Sequence, residues 1–332
     1  MNLETKYLGL KLRSPFVLSA SPISTDIESL KRLDENGIGA IVLHSLFEEQ
    51  LIDEQFELEY HLTHGTESFA EATSYFPRYD EFRLGPDEYL DHIRKVKSEI
   101  KCPVIASLNG TTLGGWTKYA LQMQNAGADA IELNIYNIPT DPLLTSLQIE
   151  DTYVKILEEV KKNLSIPVAV KLSPFFTNMS NIAKRFDDAG ADALVLFNKF
   201  YQPDINLETY EVEPKVALSS SSQNLLSLRW IAILKNRIKA DLAATGGILT
   251  SADAIKIILA GANAVQIFAT IARNGLDYLL VLNKELISFM EQKGYESIEE
   301  MIGVLSQKNI KNASAYERAQ YMKALTNYKL KF

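Results

Sequence analysis

The chain has 332 residues, 46% of them hydrophobic and 23% charged, a balance that excludes disordered, collagen-like and low-complexity classes. Its formal net charge is -8, which argues against a nucleic-acid binder, since such proteins carry a basic face. No apolar run approaches the roughly 18 residues of a membrane span, Met1 to Lys6 lacks a signal-peptide layout, and the one cysteine, Cys102, cannot form an internal disulfide. These features predict a soluble protein of the reducing cytoplasm.

In chain order, a small hairpin is expected around Leu8-Gly-Leu-Lys-Leu12. Strands follow at Phe16–Ser19, Ala40–His44, Val104–Leu108, Ala130–Asn134, Val168–Leu172, Ala193–Phe197, Leu242–Thr245 and Ala264–Ile267. Three segments repeat one another: Ala126-Gly-Ala-Asp-Ala-Ile-Glu-Leu133, Ala189-Gly-Ala-Asp-Ala-Leu-Val-Leu196 and Ala260-Gly-Ala-Asn-Ala-Val-Gln-Ile267, with a weaker copy at Asn36–Leu43. Each reads as a helix closed by glycine, a tight turn and an apolar strand, with amphipathic stretches such as Leu147 to Leu164 between them. Strands apolar along their whole length fit a parallel sheet covered on both faces. Eight such units predict an α/β fold, a (β/α)8 TIM barrel, with the hairpin covering its bottom and residues 1–332 forming one domain. An open doubly wound sheet is the alternative, disfavoured because no Gly-x-Gly-x-x-Gly follows the first strand. Two strand-to-helix connections, Phe47 to Pro86 and Asn198 to Gln223, are long enough to act as lids at the C-terminal face.

A barrel places its functional residues just after the strands. Those positions hold Ser19-Ala20-Ser21, His44-Ser45, Asn109, Asn134, Lys171, Asn198, Gly246-Gly247 and Ala269-Thr270. A mouth rich in amides suits a flat ligand with many heteroatoms, because each Asn both donates and accepts. Thr245-Gly-Gly-Ile248 and Phe268-Ala-Thr270, each leading into a helix, suit a phosphate held on backbone N–H groups.

Asn134-Ile-Tyr-Asn-Ile-Pro139, Val168-Ala-Val-Lys-Leu-Ser-Pro174, Ala244-Thr-Gly-Gly-Ile248, Ser19-Ala-Ser21 and the tail around Lys293-Gly-Tyr-Glu-Ser-Ile-Glu-Glu300 resemble the dihydroorotate dehydrogenases. The likeness runs in order over nearly the whole chain and is greatest to the soluble class without a membrane-binding extension. It implies FMN as cofactor, a cytoplasmic location, a homodimer and oxidation of dihydroorotate, or of a related small CH–CH substrate. Position by position, it implies that Lys171 lies by the flavin ring, where a cation stabilises negative charge on reduced flavin. It places Ala20, Ser21, Asn109 and Asn134 along the flavin, His44 and Ser45 near it, and Gly246, Gly247, Ala269 and Thr270 at the phosphate. Asn134, Asn137 and Asn198 match substrate-binding asparagines of the family, and Asn198 is placed to touch the flavin as well.

The departures concern proton abstraction. The family's Asn-Leu-Ser-Cys-Pro-Asn run carries a Cys or Ser base, whereas Asn134-Ile-Tyr-Asn137 has neither and leaves Tyr136 as the candidate, a poor base at its ordinary pKa. Thr-Lys-Ser of the family stands here as Leu43-His-Ser45, with His44 in the place of a second cation that can lose its charge near neutral pH. The usual Asn-x-Met-Gly-Leu-Pro-Asn loop is replaced by Ser74–Arg83, in which Arg78 and Arg83 are candidates to clamp a carboxylate. The glycine-rich flavin loop reads Leu218-Ser-Ser-Ser-Ser-Gln223.

Each of these residues also has a plain structural reading: an ordinary lysine, a tight glycine turn, asparagine caps, a packing tyrosine. His61 and His64 are three apart without the companions of a metal site, and Cys102 precedes Pro103 at a strand entrance, away from the catalytic face. Two other functions fit the same features. One is a redox-free barrel lyase or aldolase with Lys171 as a Schiff-base lysine; the other is a non-catalytic FMN-binding subunit of a redox complex. A small-molecule substrate is expected. The electron acceptor is open among fumarate, a ferredoxin-like protein and a nicotinamide-linked partner subunit.

Overall fold

The chain opens with β1 (Thr5–Tyr7) and β2 (Leu10–Leu12), paired antiparallel across a turn in which Leu8 and Gly9 both have positive φ. The computed structural model describes residues 1–48, 50, 85–110, 116–135, 137–199, 202–215, 218–318, 321 and 326. The barrel strands are β3 (Phe16–Leu18), β4 (Ala40–Phe47), β5 (Val104–Gly110), β6 (Ala130–Ile135), β7 (Val168–Leu172) and β8 (Ala193–Leu196). After β9 (Gln202–Asn206) and β10 (Glu211–Lys215), the barrel resumes with β11 (Asp241–Thr245) and β12 (Ala264–Ile267). The closed order is β11-β12-β3-β4-β5-β6-β7-β8, with every neighbouring pair parallel and β8 returning to β11. This is the expected (β/α)8 barrel.

The sequence repeat has a physical cause. Gly37, Gly127, Gly190 and Gly261 all have positive φ where a helix ends, a conformation that costs a residue with a Cβ and costs glycine nothing. The Asp or Asn two residues after the last three of these glycines then reaches the preceding strand. Asp129 accepts from Val104 N at 2.7 Å, Asp192 from Val168 N at 2.7 Å, and Asn263 Oδ1 from Leu242 N at 3.2 Å. Helix lysines complete two of the three, Lys97 on Asp129 and Lys161 on Asp192. The repeated motif therefore ties the bottoms of neighbouring strands together.

Alternation along the strands separates two cores. Outward residues such as Ile131, Leu133, Val168, Val170 and Val265 pack under the helices, including Pro86–Glu99, Ser146–Asn163 and Ser251–Ala260. Inward residues at the bottom form a second cluster made largely of alanines: Ala40, Ala130, Ala169, Ala193, Ala243 and Ala264. They are small because Tyr7, Leu8 and Leu12 from the β1–β2 hairpin fill the space between them. Leu8 N donates to Asp241 Oδ2 at 2.9 Å, and Thr5 Oγ1 to Asn263 O at 3.0 Å, fixing the plug. The hairpin expected at the barrel bottom is thus present.

One element was not expected. The Asn198–Gln223 connection contains the antiparallel pair β9–β10, in which Pro203 faces Pro214. Proline demotes a strand unless it lies on an edge, and in a two-stranded ribbon both strands are edges. Ile205, Leu207, Tyr210 and Val212 are exposed, so no buried face marked the period in the sequence.

Candidate active site

The inward parity that gives alanines at the bottom gives polar residues toward the mouth. Asn109, Asn134 and Lys171 are register partners on the successive strands β5, β6 and β7, and Ser107 pairs with Glu132 one layer below. All five are buried. Lys171 Nζ donates to Glu132 Oε1 at 3.1 Å, with the two side chains 6% and 1% exposed. Gln266 Nε2 donates to the other carboxylate oxygen at 2.6 Å, and Ser19 Oγ donates to Gln266 Oε1 at 3.3 Å. A buried ion pair persists only when its remaining hydrogen-bonding capacity is met, and Gln266 meets that of Glu132. Above this array, Asn198 Nδ2 donates to Asn134 Oδ1 at 2.8 Å, which aligns the two amides at the rim.

Beside this row, β4 shifts register between Val42 and Ser45. Tyr89 bridges the irregular stretch: its hydroxyl donates to His44 O at 2.8 Å and accepts from Ser107 N at 3.1 Å. Ser45 and Ser107 share a hydrogen bond of 2.8 Å between their hydroxyls. The His44 ring stands edge-on to Tyr89 at 4.9 Å and lies 5.9 Å from His92. Burial, reinforced by His92, pushes its pKa down to about 4, so His44 is neutral at neutral pH and does not supply a second cation. His44 Nδ1 and the nearby strand-end Ser21 Oγ are buried polar atoms with no hydrogen-bond partner among the described residues. At a strand-end mouth such atoms are free to bond a ligand or an ordered water.

At the far side of the mouth, Gly246 and Gly247 have φ of +84° and +74°. A Cβ on Gly247 would lie 2.5 Å from Ser220 O and 2.8 Å from Asn224 N, so only glycine lets the two loops meet. Asn224 Nδ2 donates to Gly247 O at 3.1 Å. Thr270 is buried with its hydroxyl donating to Leu249 O at 2.9 Å, a contact that fixes the loop, while Ala269 beside it is half-buried. Arg273 Nη2 donates to Ser219 O at 3.1 Å, and Lys199 Nζ approaches Ser219 Oγ at 3.4 Å.

Most of the expected site residues therefore gather around one mouth. Ala20 is half-buried after β3. Asn137 turns elsewhere and hydrogen-bonds Tyr153, a contact that lowers a phenol pKa which burial raises. Tyr136, Arg78, Arg83, His61 and His64 lie outside the described residues, as does most of the Phe47–Pro86 connection. The sequence reading did not single out Glu132, Gln266, Lys199 or Arg273. Inward parity alone would have found the first two, since a Glu and a Gln inside otherwise apolar strands must face each other or a partner.

An eight-stranded barrel with a buried lysine–carboxylate pair beneath Asn109, Asn134 and Asn198 has the frame of a barrel enzyme, its polar residues gathered at the C-terminal ends of the strands. More narrowly, a family model described as dihydroorotate dehydrogenase matches residues 82–290, and the chain belongs to that family. It is 28% identical over 319 residues to the catalytic subunit of dihydroorotate dehydrogenase B (NAD(+)) from Thermoplasma volcanium, covering 91% of this chain and 98% of that one. The subunits of the same name from Methanocaldococcus jannaschii and Geobacter sp. are 27% and 28% identical, over 91% and 90% of this chain and 97% and 96% of theirs. No helix among the described residues is long and apolar enough to cross a membrane.

Proposed function

We propose that residues 1–332 form one FMN-binding barrel domain that oxidises dihydroorotate to orotate in pyrimidine synthesis. The observation that carries this reading is the in-register row of Asn109, Asn134 and Lys171, capped by Asn198 at the mouth. The residues present fit FMN: a Gly246–Gly247 turn with positive φ at both residues, open at Gly246, and the buried Ser21 Oγ and His44 Nδ1, which have no partner among the described residues, at the ends of β3 and β4. Gly246, Gly247, Ala269 and Thr270 would hold the phosphate. Ala20, Ser21, His44, Ser45 and Asn109 would border the ring. When bound, FMN supplies an acceptor for hydride from the substrate.

The chain's own residues do the rest. Lys171, held by Glu132, presents a fixed positive charge where anionic charge develops, at no reorganisation cost during reaction. Asn134 and Asn198 offer donors and acceptors that match the alternating N–H and C=O groups of a pyrimidine. Asn137 becomes the third substrate amide in this reading only by exchanging its Tyr153 hydrogen bond for the substrate. The proton leaves the substrate carbon for a side chain on the connection after β6, with Tyr136, ionised to its phenolate, as its acceptor. Neutral His44 contributes hydrogen bonding and shape. A Schiff-base lyase is disfavoured because it requires a free amine, whereas Lys171 Nζ is engaged by Glu132.

The relatives' names, catalytic subunits of an NAD(+) enzyme, support a partner subunit and NAD+ as the electron acceptor; a homodimer of this chain rests on the family resemblance alone. Acidity and the lone buried Cys102 support a cytoplasmic location. The test is an anaerobic visible spectrum of the purified protein before and after adding dihydroorotate. Bleaching of a flavin spectrum is expected. An unchanged flavin spectrum removes dihydroorotate as the substrate, and the absence of flavin after reconstitution with FMN removes the reading entirely.

A further inference from the structure

We propose that Arg273 and Lys199 form a two-cation clamp that makes the Gly246–Gly247 cradle select a dianionic phosphate monoester. The inference rests on the flavin-site reading above, and it identifies which end of the cofactor decides affinity in this chain.

Three strands of observation converge on one spot. Ser219 lies against the cradle, its Oγ 4.0 Å from where a Cβ of Gly246 would be, and the next residue's carbonyl faces Gly247. From one side, the Arg273 guanidinium reaches Ser219 O at 3.1 Å; from the other, Lys199 Nζ reaches Ser219 Oγ at 3.4 Å. Arg273 makes no ion pair with a carboxylate among the described residues. The two cations also feel each other, since burial and then the charge of Arg273 lower the pKa of Lys199. Because both cations meet at Ser219, an anion seated beside that residue reaches two positive partners at once.

The chemistry of the anion follows. Gly246 leaves open space on the side of Ser219, whose Oγ is 4.0 Å from its Cβ position, and the planar fork of Arg273 matches two phosphate oxygens. A monoester carries about 1.5 to 2 negative charges at neutral pH. A flavin ending in a phosphodiester offers less charge, and riboflavin offers none. The clamp therefore discriminates by charge at the terminus, independently of the ring.

The experiment uses the full chain freed of flavin, titrated separately with FMN and riboflavin by flavin fluorescence. In Arg273→Gln, FMN affinity falls about tenfold or more while riboflavin affinity stays within about twofold. Lys199→Gln shows the same split, and Arg273→Lys retains part of the preference. Equal loss for both flavins means that Arg273 merely props the loop, and no loss for either means that it is idle; both outcomes overturn the clamp. If the wild-type chain binds neither flavin, the flavin reading fails by itself. The clamp is then judged on inorganic phosphate: a thermal midpoint raised by phosphate over chloride at equal ionic strength, and lost in Arg273→Gln, supports it, whereas no such rise overturns it.

Discussion

Lys171 and Glu132 carry opposite charges inside a barrel that admits little water, and each depends on the other. Removing one partner leaves an uncompensated buried charge. Glu132→Ala should lower the unfolding free energy by about 3–5 kcal/mol, read from urea denaturation, and a loss below about 1 kcal/mol would show the pair to be well solvated. Lys171→Ala should in addition depress the rate of flavin reduction by substrate far more than it depresses folding. His44 supplies a pH dependence whose sign follows from its lowered pKa. Below about pH 6.5 the unfolded chain takes up a proton at this imidazole that the folded chain refuses until about pH 4. Stability should be unaffected above pH 6.5 and fall through that window by up to about 3 kcal/mol, with His92, lowered in the same direction, adding to it. Denaturation midpoints at pH 7.5 and pH 5 measure the effect, and His44→Gln should flatten it.

Among the elements, the cradle loop and the floor hairpin are the most exacting. Gly247→Ala must fit a methyl group 2.5 Å from Ser220 O at a φ of +74°, so the two loops part and FMN affinity should drop by at least an order of magnitude. Gly246→Ala has room, with Ser219 Oγ 4.0 Å away, and should suffer only the milder strain of its positive φ. The β1–β2 hairpin makes a sharper contrast. Tyr7 is fully buried and its hydroxyl has no partner among the described residues, so Tyr7→Phe should leave stability unchanged or raise it. Tyr7→Ala empties the space that the lumen alanines leave and should cost about 3–5 kcal/mol, measured by the same denaturation.

For the molecule as a whole, the barrel was legible because each repeat carries its own stop and start signals. The left-handed glycine and the Asp or Asn that follows are local requirements, visible at any one copy and unmistakable at three. Strand ends were legible for the same reason, and with them Lys171, Asn109, Asn134, Asn198 and the Gly246–Gly247 pair. What the sequence did not show are partnerships across the lumen. Glu132 and Gln266 are 134 positions apart, and nothing in either strand announces that they meet. Arg273 and Lys199 are likewise joined only by the loop that folds between them. Asn137 was assigned by family likeness to the site, but local geometry hands its side chain to Tyr153.

The floor hairpin has a kinetic consequence. With Tyr7, Leu8 and Leu12 packed against the lumen alanines, the described residues close the bottom of the barrel, so the site is reached from the C-terminal face of the strands. Entry and departure share one doorway, so a product molecule that has not left is itself the obstacle to the next arrival. Product should therefore compete directly with substrate, raising the apparent KM without lowering the maximal rate.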